Sequence, residues 1–179
     1  VIRNNPSALA ERLAQLDINY LNYEHPPLHT CLDADNLKLE RRGTRLKNLF
    51  LRDNYGKRHF LFIIPADKQV DLKALSKSQG VSRLGFASTD RLAKYLGVEQ
   101  GCVSALTLHN DREQQVELWL DSELQSAHLW QCHPLVNTKT WVLTLEDLKR
   151  FWQVTGHSLH WVNCVSQTQN EAYCTDDKK

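Results

Sequence analysis

The stretch LKNLFLRDNYGKRHFLFIIP, residues 46–65, decides the fold. Two runs rich in leucine, isoleucine and phenylalanine flank NYGKR (54–58), and a short glycine-containing connection between strand-like runs predicts a β-hairpin. The first run opens unusually, with Lys47 and Asn48. Charged and amide groups rarely begin a buried strand unless they face solvent or meet a partner. Just upstream lies RRGTR (41–45), and from Lys38 to Arg58 eight basic residues stand against two acidic ones. The whole chain carries a formal charge of only +1, so this excess is local. A local excess suggests a localised anionic partner rather than a general nucleic-acid coat. The plainer reading is a hairpin edge kept soluble by its charge.

Working outward, PSALAERLAQLD (6–17) places Leu9, Leu13 and Leu16 at helical spacing, with Ser7 as the expected N-cap. INYLNYEHPP (18–27) reads as a strand stopped by a double proline, and LDADNLKLER (32–41) as a short helix or lid. VDLKALSKSQG and STDRLAKYLG read as helices capped by Asp71 and by Ser88 or Thr89, stopped by Gly80 and Gly97. RLGFA is a short strand, and VSALTLHNDREQQVELWLD is expected to form two strands around an Asn-Asp turn. TWVLTLEDLKRFWQVTG reads as a strand entering a helix, with Thr144 as N-cap, Asp147 at the third position and Gly156 as the stop. Hairpins with interspersed helices predict a single α+β domain on a mixed, largely antiparallel sheet with flanking helices. The chain shows no internal repeat and no linker, and the polar residues 165–179 are expected to form a C-terminal tail.

At 179 residues the chain suits one domain that buries its core without metals or disulfides. No apolar run approaches the ~20 residues needed to span a bilayer. The start carries charges throughout and lacks the apolar centre of a signal peptide, so a cytoplasmic location without membrane contact is expected. The chain holds no methionine, so Val1 is expected to follow a processing point. Five cysteines form no C-x-x-C pair, an odd count that suits free thiols in a reducing compartment. HSLH (157–160) has no neighbouring acidic ligand, so no metal site is expected.

Standard catalytic signatures are missing: there is no G-x-G-x-x-G and no P-loop, and GVSRLG has one residue too many for a nucleophile elbow. Cys132 beside His133 would point to the opposite face of a strand, which argues against a nucleophile–base pair. Three stretches remain. Lys47 with Asn48 is ordinarily a surface pair, but it could hold a phosphate by charge and by directional hydrogen bonds. In LGVEQGCVSA, Gly97 ends a helix and Gly101 is expected to open the next strand; glycine there also lets main chain approach a ligand closely. In QCHPLVNTKT, residues His133, Pro134 and Asn137 form either a stiff loop or a pocket wall.

Together EHPPLHT (24–30), GTRLKNLFLRD (43–53), ADKQVDLKAL (66–75), RLGFASTDRLAKYLGV (83–98), Asn110-Asp111 and CHPLVNTKTW (132–141) resemble the YbaK-like/prolyl-tRNA editing domains. The chain looks most like the free-standing bacterial members that act on mischarged tRNA(Pro). The resemblance runs from about residue 7 to residue 157, and the combination of the lysine-asparagine strand with the His-Pro loop is its specific part. It implies the YbaK/prolyl-tRNA synthetase-associated fold over residues 1–164. It also implies metal-independent, cofactor-free hydrolysis of the ester joining a wrong amino acid, chiefly alanine, to the tRNA 3′ end.

By the same resemblance Lys47 meets the terminal phosphate region, main chain at Gly101 positions the attacking water, and the adenosine hydroxyl assists. Asn48, Ser104, His133, Pro134 and Asn137 shape the amino-acid pocket, and Arg41, Arg42 and Arg45 extend the attraction along the acceptor end. The expected partners are tRNA(Pro) and its synthetase. Two positions depart from the family pattern: Arg45 stands where a histidine is common, and Ser104-Ala105 replaces a Ser-Pro. The alternatives are a deacylase for serine or cysteine and a non-catalytic tRNA- or synthetase-binding module.

Overall fold

The hairpin of residues 46–65 forms as expected and lies at the centre of a five-stranded sheet. The computed structural model describes residues 1–29, 32–33, 40–164 and 166. Its strands are β1 (Leu21–Glu24), β2 (Leu46–Arg52), β3 (His59–Pro65), β4 (Gly85–Phe86), β5 (Val116–Asp121), β6 (Leu129–Cys132), β7 (Lys139–Thr144) and β8 (Leu159–Val162). The helices are α1 (Pro6–Gln15), α2 (Leu72–Gln79), α3 (Thr89–Leu96) and α4 (Leu145–Thr155), with 3₁₀ turns at Ala105–Asn110 and Ser122–Ser126.

β2 and β3 pair antiparallel from Leu46↔Pro65 to Arg52↔His59. The turn between them is built by Asp53, whose Oδ1 accepts the amides of Lys57 (2.8 Å) and Arg58 (3.0 Å). The sheet order is β4-β2-β3-β5-β8, and β3–β5 and β5–β8 are parallel. That explains why β3 is almost continuously apolar: it is a central strand buried on both faces. Phe50, Leu61 and Ile63 point into one cluster with α1, α3 and α4, whereas Leu51, Phe60, Phe62 and Ile64 point into another with Leu75 of α2.

A second, antiparallel sheet, β1-β7-β6, stands apart from the first. One sheet was expected and two are found. They are joined where Thr44 donates to the Leu129 carbonyl (2.7 Å) and accepts from the Gln131 amide (3.1 Å).

Most caps are where the sequence places them. Asp71, Ser88 and Thr144 cap α2, α3 and α4, and Gly80, Gly97 and Gly156 end them in the left-handed conformation. The first helix differs: Asn5, not Ser7, is its N-cap, accepting the Ala8 amide. Pro6 sets this boundary, because its fixed φ and missing N–H favour the first helical position.

The expected strand at VSALTLHN is also corrected, for residues Ala105–Asn110 form a 3₁₀ turn. Ser104 Oγ accepts the Leu106 amide (3.1 Å) while the Ser104 amide donates to Thr107 Oγ1 (2.7 Å). Ala105 to Leu108 are all buried, which the alternation of a half-buried strand would not allow. Gly101 accordingly opens no strand. Ala105 fills the first position of that turn, where proline would also fit, so its departure from the family pattern leaves the turn intact.

A buried network closes the other end of the molecule. Asp111 Oδ1 accepts the Gln115 amide (3.0 Å), and its Oδ2 accepts the Val116 amide (2.9 Å) and His157 Nε2 (2.8 Å). The helix or lid expected at 32–41 lies largely outside the described residues. So does the tail beyond 164, apart from Ser166, which bridges to Val70.

Candidate active site

A cavity of about 640 Å³ opens between the two sheets and is walled by Lys47, Asn48, Gly101, His133, Arg41 and Arg45. Six of the ten residues singled out from sequence therefore converge. Among the described residues no aspartate or glutamate lines the cavity, so Arg41, Arg45 and Lys47 favour an anionic ligand.

Lys47 and Asn48 reach the site differently from the shared role expected of them. Neighbours on a strand face opposite ways. Asn48 lies on the Phe50 side, and its Oδ1 is buried without a hydrogen-bond partner. Lys47 pairs across the sheet with Ile64, and its ammonium donates to the Lys68 carbonyl (2.9 Å). Lys68 is itself pinned, its buried ammonium 2.6 Å from Asp121 and 3.3 Å from Glu123. Burial alone would lower the Lys68 pKa, but these two carboxylates more than reverse it, so the group stays charged. The acceptor that orients Lys47 is thus rigidly held.

The loop carrying His133 is fixed from behind. Ser104 does not line the cavity; its Oγ donates to the His133 carbonyl (2.6 Å). Asn137 is likewise outside the wall, and its carbonyl accepts the Leu28 amide (3.1 Å), which ties the loop to the segment bearing His29. Pro134 and Arg42 also lie off the cavity; the Arg42 amide donates to the Tyr23 hydroxyl. His133 Nδ1 donates to the Lys139 carbonyl (3.2 Å), leaving Nε2 as an acceptor. Burial, with smaller contributions from His25 and Arg41, outweighs the hydrogen bond to the Lys139 carbonyl and pushes the His133 pKa below its ordinary value, so the ring is neutral at pH 7.

Several wall residues were not singled out from sequence: His29, Gln100, Gln131 and Thr140. Thr140 Oγ1 lies 2.8 Å from both Arg41 Nη1 and His25 Nε2, and His25 Nδ1 donates to the Pro26 carbonyl (2.9 Å). A carbonyl only accepts, so His25 Nδ1 is the donor there, and Arg41, Thr140 and His25 form one connected hydrogen-bond path. Thr140 is buried on a strand, where threonine is common, and nothing local marks it.

Gly101 has φ +88°. A Cβ there would sit 3.4 Å from His29 Cα, an ordinary contact, so the backbone conformation rather than space demands glycine. Gly101→Ala is expected to cost roughly 1–2 kcal/mol of stability. It should lower Tm in thermal unfolding, whereas Gly85→Ala, with open space beside it, leaves Tm unchanged. Cys132 lines the cavity, but complete burial raises its thiol pKa far above the ordinary value, which excludes a thiolate.

Residues 25–151 match the family described as the aminoacyl-tRNA editing domain. The chain belongs to that family. Among editing-domain relatives, the Prolyl-tRNA editing protein ProX of Acetoanaerobium sticklandii is 37% identical over 84% of this chain and 92% of its own length. The Prolyl-tRNA synthetase associated domain-containing protein 1 of Danio rerio is 36% identical over 84% of this chain and 82% of its own. A crystal structure of a candidate trans-editing enzyme for prolyl-tRNA synthetase shares the editing-domain fold. It has a TM-score of 0.63 at 15% identity and covers 90% of this chain and 98% of its own. No helix among the described residues is long and apolar enough to cross a membrane.

Proposed function

We propose that this protein is a trans-acting aminoacyl-tRNA hydrolase that removes alanine from mischarged tRNA(Pro). The observation carrying the reading is a cavity, within an aminoacyl-tRNA editing domain, lined by Lys47, Gly101 and His133 and, among the described residues, by no carboxylate. The substrate is a small amino acid esterified to a polyanion. Lys47, with Arg41 and Arg45, meets the terminal phosphates. Asn48 lines the cavity and offers its side-chain amide to the substrate's ammonium. His133, held neutral, closes the wall without repelling that ammonium.

Water oriented by main chain at Gly101 attacks the ester carbonyl, and the bond to the ribose oxygen breaks. That oxygen takes a proton, and free alanine leaves. An aminoacyl ester is already activated, so positioning and oriented dipoles suffice for its hydrolysis. A proline pocket in a synthetase rejects alanine weakly, because missing methylenes are worth only about 1–3 kcal/mol. A second, smaller cavity removes the error by excluding proline. The reaction belongs beside prolyl-tRNA synthetase in the cytoplasm, where the charged tRNA is made.

The test is a panel of charged tRNAs. Purified protein is expected to shorten the lifetime of alanyl-tRNA(Pro) and leave prolyl-tRNA(Pro) at its spontaneous rate. Faster loss of seryl- or cysteinyl-tRNA would change the amino acid. Equal lifetimes with and without protein would reject hydrolysis and favour a binding module.

A further inference from the structure

We propose that a second, basic groove beside the cavity carries the acceptor-stem phosphates of the tRNA. This rests on the reading of the cavity as the seat of the 3′ end. The groove lies between α2 and the edge strand β4 and is lined by Arg52, Lys73, Lys77 and Arg83, with Gly85 and Phe86 at its end. Among the described residues no aspartate or glutamate lines it. Lys73, Lys77 and Arg83 are exposed, and among the described residues none of the four cations forms an ion pair with a carboxylate.

What sets α2 apart is its composition, since α1, α3 and α4 each carry at least one acid. On α4, Glu146 and Asp147 in the first turn pair with Lys149 and Arg150 three residues on. The α2 sequence LKALSKSQ contains no acid. Lys73 and Lys77 are one turn apart on one face, a same-sign pair that destabilises a helix. Lys73 also stands in the first turn, where the helix dipole disfavours cations. A row of phosphates would neutralise both.

Continuity with the site fixes the class of partner. Phe86 lines both the cavity and the groove, and it is 64% exposed although large and aromatic. A single strand leaving the cavity would cross the sheet edge at this ring, which offers a stacking face for an unpaired base. The duplex that follows would then lie along the four cations. Phosphate contacts of this kind set affinity and orientation without reading sequence.

The test uses the full chain with Lys73→Glu and Lys77→Glu combined, and with the milder Lys73→Gln and Lys77→Gln pair. Binding of uncharged tRNA(Pro) is followed across a salt series. The Glu pair is expected to weaken binding about tenfold or more, and either pair to reduce the slope of log affinity against log salt by about 2. For a cleaving enzyme, KM for full-length charged tRNA rises while cleavage of an aminoacylated CCA trinucleotide is unchanged. Unchanged affinity and slope would overturn the proposal, as would equal losses on the trinucleotide and full tRNA. Loss of synthetase binding with tRNA binding intact would also overturn it and assign the groove to a protein. If no ester is cleaved yet the salt slope falls as stated, the groove stands and the hydrolytic reading fails.

Discussion

Lys47→Ala is expected to lower kcat/KM for alanyl-tRNA(Pro) cleavage by about 10²–10³-fold, the range for removing one preorganised donor from an active site. The Lys47 ammonium is held by the Lys68 carbonyl at 2.9 Å, and Lys68 is locked by Asp121 and Glu123. Its position is therefore set before substrate arrives. Lys47 is only partly buried and joins neither apolar cluster, so truncation should leave the fold intact and Tm nearly unchanged. The kinetics also discriminate its role. A loss confined to KM means that the charge only captures phosphate, whereas matched losses in kcat and kcat/KM mean a contact made in the transition state. Lys47→Arg keeps the charge but replaces a compact ammonium by a planar fork, and an intermediate rate is expected. An unchanged rate in Lys47→Ala would reduce the residue to a solvated charge at the sheet end.

The largest loss of stability is expected at Asp111, far from the chemistry. Asp111→Ala leaves the amides of Gln115 and Val116 and the His157 ring without their acceptor in a buried site. Breaking a buried pair of this kind costs about 3–5 kcal/mol. In a chain of this size that lowers Tm by roughly 6–20 °C. The effect depends on pH in a defined direction. Burial pushes the Asp111 pKa up, but the hydrogen bonds from His157, Gln115 and Val116 outweigh it, so the net shift is below the ordinary 3.8. A carboxylate depressed in the folded state contributes stability above its unfolded value, and this is lost as pH falls through the folded one. The Tm difference between the parent and Asp111→Asn should be full near pH 7 and shrink progressively below about pH 4. A difference that stays constant through acid would show that the charge of Asp111 is irrelevant to its role.

The chain differed in how openly it displayed its own structure. Caps were legible because they are local: Asp71, Ser88 and Thr144 bond amides two or three residues on, and glycines end the helices they cap. The 3₁₀ turn at Ala105–Asn110 was not legible, because a short run of buried apolar residues fits strand and helix alike. Ser104 settles it, its amide donating to Thr107 Oγ1 and its Oγ accepting the Leu106 amide, which apolar patterning does not reveal. At the site, Lys47, Asn48, Gly101 and His133 stood out as exceptions to their surroundings. Thr140 and Gln131 did not, since polar residues on short strands are ordinary until a distant segment of the chain supplies Arg41 or His25.

From the sequence alone came the β2–β3 hairpin, the limits of α2, α3 and α4, the family motifs and the basic bias around residues 38–58. All of these depend on neighbours within a few residues or on composition. The tertiary structure alone decided that β3, β5 and β8 run parallel, that a second sheet hangs from Thr44, and that Lys47 and Gly101 wall one cavity. Such pairings join segments far apart in the chain, and their free energy comes from burying apolar faces together, which no local pattern encodes.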